Sequence, residues 1–180
     1  DSSTEVYISP DAVLPGERVE TYDNSVFQYA LWSPEDCTLG DKCRDLAVLI
    51  TGNAGLTVEL IRDFNGFTSQ RIGVGVPFYQ SFSPDGTRML WQRNNSRFDI
   101  YDIAADEATQ LEPRPGLMQA PGWSPVDDRL LLSTFNEQAR ATDLVVQDGD
   151  ETRVLAEALA GQVSSNWSPD GNYVAYRTAA

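Results

Sequence analysis

The side chains of this chain that could do chemistry are mainly carboxylates and amides. Histidine is absent from all 180 residues. The usual Ser-His-Asp and Cys-His nucleophile arrangements, and every histidine-based metal site, are therefore excluded. Glycines are scattered among turns, and no glycine-rich loop opens a helix that could hold phosphate. We therefore expect no catalytic residue, no bound metal and no cofactor.

Carboxylates dominate the charge of the chain. Aspartate and glutamate total 27 against 13 lysines and arginines, which gives a net charge of −14. Such a surface repels phosphate backbones and anionic head groups, so we do not expect nucleic acid as a partner. No stretch approaches 18 consecutive apolar residues, so no membrane span is predicted. An acidic surface of this kind keeps a secreted or periplasmic protein soluble.

The two cysteines, Cys37 and Cys43, lie six residues apart. Without histidine they cannot complete a four-ligand zinc site. We predict a disulfide instead, which implies an oxidising compartment. Closing so short a loop contributes about 2 kcal/mol. Acids also cluster at Asp148-Gly-Asp150-Glu151, but without the spacing of a calcium loop, so we interpret them as a solvated turn.

One short pattern occurs four times and organises the chain. Each copy has an aromatic residue, then Ser-Pro, then turn residues, then a short apolar run. The copies begin at Trp32, Phe82, Trp123 and Trp167. In such a turn Pro fixes φ, Asp bonds its own backbone and Gly accepts a positive φ. The pattern predicts four β-hairpins whose second strand is buried on both faces.

The spacing of the copies indicates a propeller. The intervals are 50, 41 and 44 residues, and removing seven extra residues from the cysteine insertion reduces the first to 43. This is the length of a four-stranded propeller blade. Acid-led third strands and alternating fourth strands follow the first three hairpins, as at Glu59-Leu-Ile61, Asp99-Ile-Tyr-Asp-Ile103 and Asp143-Leu-Val-Val146.

The fourth hairpin has no such partner downstream, but Glu5-Val-Tyr-Ile8 and Glu17-Arg-Val-Glu20 could supply it from the N-terminal end. We therefore predict an all-β, single-domain propeller of four four-stranded blades, closed by pairing of the N- and C-terminal strands. Its repeats would span about 26–72, 73–112, 113–156, and 157–180 joined to 1–25. The alternatives are a fragment of a larger propeller or half of an eight-bladed dimer.

The repeats resemble those of the TolB-like β-propellers, whose signature is W-S-P-D-G followed by a short apolar strand. Trp167-Ser-Pro-Asp-Gly-Asn-Tyr-Val-Ala-Tyr176 matches almost throughout, and Phe82-Ser-Pro-Asp-Gly86 nearly as well. The match is weaker at Trp123, where Gly is missing, and at Trp32, where the cysteine insertion intervenes. The resemblance implies an extracytoplasmic protein-interaction module, and the same repeats also occur as non-catalytic propellers of some serine peptidases.

The predicted innermost strands suit binding better than catalysis. A glycosidase would need two acids there, and the segments 27–31, 77–81, 118–122 and 162–166 contain none. They offer amides and aromatic rings, and the loops after the second strands add asparagines. The candidate binding residues are Gln28, Tyr29, Phe78, Tyr79, Gln80, Gln119, Gln162, Asn53, Asn94 and Asn136. Amides beside aromatic rings suit a peptide segment or a glycan.

The same aromatic residues also have a purely structural interpretation. Tyr29, Phe78 and Tyr79 could pack one blade against the next. The four aromatics before Ser-Pro are predicted to be core wedges between blades, because they recur at one register. The favoured function is thus a non-enzymatic, extracytoplasmic interaction module or assembly subunit, monomeric or homodimeric. A carbohydrate-binding propeller, or the propeller part of a carboxylate-dependent hydrolase, is the alternative.

Overall fold

The computed structural model describes residues 3–9, 15–34, 45–53, 55–62, 68–75, 77–94, 96–116 and 120–178. All the regular secondary structure within these ranges is β-strand. The chain divides into two compact units. The first comprises residues 1–33 and 39–76, and the second comprises residues 34–38 and 77–180.

The first unit contains a two-stranded hairpin and one complete blade. The hairpin pairs β1 (Ser3–Ile8) with β2 (Glu17–Asp23). The blade is a four-stranded antiparallel sheet in the order β3 (Val26–Trp32), β4 (Leu46–Gly52), β5 (Gly55–Arg62), β6 (Thr68–Val74). The hairpin packs Val6 and Ile8 onto the β4 residues Leu46, Val48 and Ile50.

The second unit contains two complete blades and a second hairpin. The blades are β7–β10 and β11–β14, each with its strands in sequence order. Their bounds are β7 (Pro77–Phe82), β8 (Arg88–Arg93), β9 (Arg97–Asp102), β10 (Glu107–Gln110), β11 (Gly122–Trp123), β12 (Leu130–Asn136), β13 (Ala141–Asp148) and β14 (Glu151–Leu159). The hairpin pairs β15 (Val163–Trp167) with β16 (Val174–Thr178).

The Ser-Pro turns have the predicted local chemistry. In the fourth copy the Ser168 hydroxyl donates to Asp170 Oδ1 at 2.5 Å and accepts from the Tyr173 amide at 2.9 Å. The same bonds recur at Ser83, which donates to Asp85 at 2.5 Å. Gly171 has φ +67°, the left-handed conformation that favours glycine. A β-carbon at Gly171 would also collide with the Val126 side chain of the neighbouring blade.

Neighbouring blades of the second unit contact each other at a repeated motif position. The Arg88 guanidinium lies 4.9 Å from the centre of the Trp123 ring, and Arg129 lies 5.0 Å from that of Trp167. Arg88 and Arg129 each stand six residues after the motif aromatic of their own blade. The arginine six residues after the motif aromatic of one blade, Arg88 at the start of β8 and Arg129 just before β12, therefore covers the motif aromatic of the next with a cation–π contact.

The predicted burial of the motif aromatics is correct for some copies and wrong for one. Phe82 and Trp123 are 7% and 6% exposed, and Trp167 is half-buried. Trp32 is 47% exposed. Trp123 belongs to a cluster with Leu90 of β8 and Phe98 of β9, and Trp167 packs against a cluster that contains Leu131 of β12 and Leu144 of β13.

The predicted closing blade is not observed among the described strands. β1 pairs with β2 and β15 pairs with β16, and these remain two separate two-stranded sheets. The repeat spacing predicts such a blade from residues 157–180 joined to 1–25. Pairing also requires their free edges to meet, which spacing cannot establish. The count of four closed blades and the single-domain assignment therefore stay predictions.

We expect Trp123→Ala to lower the free energy of unfolding by about 3–5 kcal/mol, because it removes a large buried side chain. Phe135→Ala is the matched control, since Phe135 is 44% exposed, and it should cost much less. Urea denaturation followed by fluorescence and circular dichroism measures both. Equal losses would contradict the assignment of Trp123 to the core.

The Ser-Pro-Asp-Gly turn predicts a pH dependence of stability. The Ser168 hydroxyl, and then Asn172, donate to Asp170 and lower its pKa to about 2 from 3.8. The carboxylate therefore stabilises the fold fully above pH 3.8, and this contribution is lost as the pH falls towards 2. We expect Asp170→Asn to lower the urea midpoint at pH 7 and to differ less from the unsubstituted chain near pH 2.

Asp150→Asn is the control for net charge, because it removes one exposed carboxylate from the β13–β14 turn. The proposed role of this carboxylate would be refuted if the difference in urea midpoint between Asp170→Asn and the unsubstituted chain stayed constant from pH 7 to pH 2.

Candidate functional site

A polar pocket of about 310 Å³ lies within the first unit. It forms where the β1–β2 hairpin meets the β3–β6 blade, on the side of the turns that join second to third strands. Ile50 is its apolar wall residue. The remaining lining residues are polar or glycine: Thr21, Tyr22, Asp23, Ser25, Gly52, Asn53, Gly55, Thr57 and Arg71.

Two turns form the mouth of the pocket. In the β2–β3 turn Asn24 has φ +50°, and the Ser25 hydroxyl donates to the Tyr22 carbonyl at 2.7 Å. Thr4 of β1 donates to the Ser25 carbonyl at 3.0 Å. Gly52 of β4 pairs with Gly55 of β5, and Gly55 has φ +85°. These local bonds fix the backbone around the opening.

An ion pair fixes the position of Arg71, a positively charged residue that lines the pocket. Arg71 Nε donates to Glu59 Oε1 at 2.6 Å, across the β5–β6 pairing. The Glu59 side chain is only 5% exposed, whereas that of Arg71 is 53% exposed. A buried carboxylate is stable only with such a partner. The guanidinium is thereby held in place at the pocket wall, where its remaining N–H groups can serve as donors.

Tyr22 supplies an uncharged aromatic wall. Its hydroxyl lies 3.0 Å from the Ser69 hydroxyl. Burial raises the Tyr22 pKa to about 12, so the phenol stays protonated at neutral pH. The pocket thus combines hydroxyl groups, one amide, one carboxylate and one guanidinium. This donor and acceptor set suits a hydrogen-bonded ligand better than a reaction that needs a nucleophile or a pair of acids.

The predicted binding residues of the first unit behave differently from one another. Asn53 is exposed and lines the pocket. Gln28 is exposed and donates to the Thr51 hydroxyl at 3.1 Å. Tyr29 is half-buried in β3. The structure therefore places one of these three residues in the pocket.

The predicted residues of the second unit do not form one described site. Tyr79 and Gln80 are half-buried in β7, and Gln162 is exposed just before β15. Asn136 has a structural role, because it donates to Asp143 at 2.9 Å and accepts the Ala139 amide at 3.0 Å. Asn94 is exposed in the β8–β9 turn with φ +50°.

Four predicted positions lie outside the described residues or side chains. Gln119, Cys37 and Cys43 lie outside the described residues. Phe78 lies in a described strand, but its side chain is not described. The predicted disulfide therefore stays a prediction. In the part of the chain that the structure describes, no group of three acids or cysteines could hold a metal ion. No helix there is long and apolar enough to cross a membrane.

The sequence interpretation missed the polar side chains that build the pocket. Arg71 and Glu59 occupy paired strands, but nothing in the local sequence indicates that they face each other. Tyr22 and Ser25 lie between Glu17–Glu20 and the segment 27–31, where no functional residue was predicted. A search for acids on third strands with arginines on fourth strands could have found the Glu59–Arg71 pair, because opposite charges favour cross-strand pairing.

The strand order and repeat turns define a β-propeller, and comparison with solved structures shows that its fold is TolB-like. TolB from Acinetobacter baumannii superposes with a TM-score of 0.58 at 12% identity, over 69% of this chain and 32% of that one. An auxiliary nutrient binding protein from Bacteroides thetaiotaomicron superposes with a TM-score of 0.54 at 16% identity, over 99% of this chain and 50% of that one.

This chain thus spans about a third and a half of these two structures, respectively. No protein-family model matches the sequence, and no curated protein has a detectably similar sequence. The likeness shows the fold and leaves the function to be argued from the site.

We expect Arg71→Gln to lower the free energy of unfolding by about 2 kcal/mol, because it leaves the Glu59 carboxylate buried without its charged partner. Arg114→Gln is the matched control. Arg114 pairs with Glu137 at 3.7 Å, with both side chains about three-quarters exposed, and such pairs contribute little. Chemical denaturation at neutral pH measures the two losses, and equal losses would contradict the structural role of Arg71.

Proposed function

We propose that this chain is a non-enzymatic, extracytoplasmic binding propeller whose ligand is a segment of another protein. The observation that carries the proposal is the polar pocket of the first unit, in which fixed hydrogen-bonding groups surround one apolar wall residue, Ile50. Such a mixture suits an extended peptide, whose backbone needs both donors and acceptors and whose side chains need an apolar contact.

The charge of the chain constrains the partner. With a net charge of −14, the protein attracts basic segments and repels acidic ones. Within the pocket Asp23 can accept from a basic or amide group, and Arg71 can donate to a backbone carbonyl. A neutral to basic peptide satisfies both.

The proposed location and non-enzymatic character have further support. The TolB-like repeats and the acidic composition agree with an extracytoplasmic interaction module. Among the described residues that line the pocket, Asp23 has no histidine, cysteine or second acid beside it with which a hydrolytic reaction could be built.

A glycan is the second candidate ligand. The specific observation in its favour is the density of neutral hydroxyl and amide groups around the Tyr22 ring, a combination that sugars use for hydrogen bonding and stacking. The nutrient-binding character of one structural neighbour is compatible with such a ligand.

Titration of the isotopically labelled chain with three probes tests the proposal. The probes are an end-blocked basic peptide, an end-blocked acidic peptide of equal length and a neutral oligosaccharide. We expect saturable amide shifts at Gly52, Asn53 and Gly55 with the basic peptide only. Asn53→Ala should weaken binding roughly fivefold to tenfold, as for one lost hydrogen bond.

Gln162→Ala is the matched control, because Gln162 is an exposed amide of the second unit. Shifts with the oligosaccharide alone would support the glycan candidate. Turnover of either peptide or of the sugar would contradict the non-enzymatic assignment, and the absence of saturable shifts would refute the pocket as the site.

A further inference from the structure

The two charged residues that line the pocket of the first unit differ in how they are paired. The cation, Arg71, forms an ion pair at 2.6 Å with Glu59, whose side chain is only 5% exposed. The acid, Asp23, is exposed at the end of β2 and has no hydrogen-bond or ion-pair partner among the described residues. The charge of Arg71 is therefore already balanced within the protein, whereas the charge of Asp23 is not.

The surroundings of Tyr22 have the same excess of negative charge. Burial raises the Tyr22 pKa most, and among the nearby charges the Glu59 and Glu20 carboxylates raise this pKa while Arg71 lowers it. Two acids thus act on the ring against one cation. Asp23 adds a further carboxylate to the lining of the pocket. The electrostatic potential of the pocket is therefore negative for a local reason, in addition to the net charge of the whole chain.

The walls of the pocket suit the stem of a long side chain. Ile50 and the Tyr22 ring supply apolar surface, and the hydroxyl groups of Thr21, Ser25 and Thr57 supply polar atoms. Lysine and arginine side chains lie with their methylene groups along apolar surface and keep the charged group among polar atoms or water. The volume of about 310 Å³ is at the lower end of the range of ligand pockets, about 300–1,000 Å³. It therefore suits one side chain with its adjoining backbone.

The backbone that carries Asp23 is fixed before a ligand binds. Asp23 is the last residue of β2 and is the register partner of Ser3 on β1. Asn24 follows with φ +50°, and the Ser25 hydroxyl closes the turn by donating to the Tyr22 carbonyl at 2.7 Å. A group on a preorganised backbone loses little conformational freedom on binding. Asp23 is thus a prepared and unpartnered hydrogen-bond acceptor at the pocket.

We propose that the pocket binds a lysine or arginine side chain of the partner segment, with Asp23 as the residue that selects this side chain by its charge. The inference rests on the proposed function of the pocket as a peptide site and names the part of the peptide that the pocket recognises. Asp23 accepts hydrogen bonds from the cationic group, and the stem lies along Tyr22 and Ile50. Arg71 stays paired with Glu59 and leaves the cation without a competing positive charge.

A series of end-blocked peptides that differ at one central residue tests the proposal. The central residue is lysine, acetyl-lysine, arginine, citrulline or glutamate, and the flanking residues are neutral. Acetyl-lysine and citrulline retain the stems of lysine and arginine without their charge. We expect saturable amide shifts at Gly52, Asn53 and Gly55 of the labelled chain, with a Kd for a cationic peptide roughly fivefold below that of its neutral counterpart, as for one exposed ion pair. The glutamate peptide should bind more weakly than the neutral ones.

Substitution of Asp23 shows whether this residue is the source of the preference. Asp23→Asn keeps the shape of the side chain and removes its charge, so it should bind the charged and neutral peptides equally. Asp150→Asn is the matched control, because it removes an exposed carboxylate from the β13–β14 turn of the second unit. It changes the net charge by the same amount and should keep the preference. The comparison separates Asp23 from the attraction of the whole chain.

Asp23→Lys provides a readout that a merely structural role of Asp23 would not produce. A lysine at this position repels the cationic peptides and attracts the glutamate peptide, so the order of the affinities should reverse. Added sodium chloride should reduce both preferences, because salt screens ion pairs between exposed groups. Thermal melts followed by circular dichroism check that each variant is folded, which we expect because Asp23 has no partner among the described residues.

The outcomes separate this inference from the proposed function. Saturable shifts at the pocket with equal Kd values for the cationic and neutral peptides would overturn the inference and leave the peptide site intact. A preference for the cationic peptides that survives Asp23→Asn would also overturn it, because another group would then select the charge. The absence of saturable shifts with every peptide would refute the inference together with the proposed function.

Discussion

The hydrogen bond between a serine side chain and the backbone across the Ser-Pro turns at Ser83 and Ser168 is the constraint on which this structure depends. At Ser83 the hydroxyl accepts the Arg88 amide at 2.9 Å, while the Ser83 amide donates to the Arg88 carbonyl at 2.9 Å. This closes the hairpin in one register. A slip of one residue would turn every side chain to the opposite face of the sheet. The turn therefore decides which side chains face the neighbouring blade.

Register at the turn also determines how blades contact one another. Once the hairpin is fixed, the motif aromatic and the arginine six residues after it lie at constant positions. In the second unit this brings Arg88 over Trp123 and Arg129 over Trp167. The buried cluster of Leu90, Phe98, Trp123 and Leu132 follows from the same alignment. A short local motif thus sets contacts between residues some forty positions apart.

The parts of the fold that depend on local chemistry could be predicted from the sequence. The hairpin turns at Ser83 and Ser168, the apolar second strands and the acid-led third strands all followed from residue types at fixed spacing. The pocket could not be predicted, because Tyr22 and Arg71 come together only when a separate hairpin packs on a blade. Closure could not be decided either, since it depends on which free edges meet.

Gly171 limits how the repeat can change during evolution. Its positive φ alone would admit asparagine, which tolerates that conformation. The Val126 side chain occupies the space where any β-carbon would stand, so asparagine would clash although its backbone preference is satisfied. The third repeat lacks the motif glycine and has Val126 and Asp127 in its turn, so the two turns are coupled. A smaller residue at 126 would have to precede any replacement of Gly171, and this order makes the two sites epistatic.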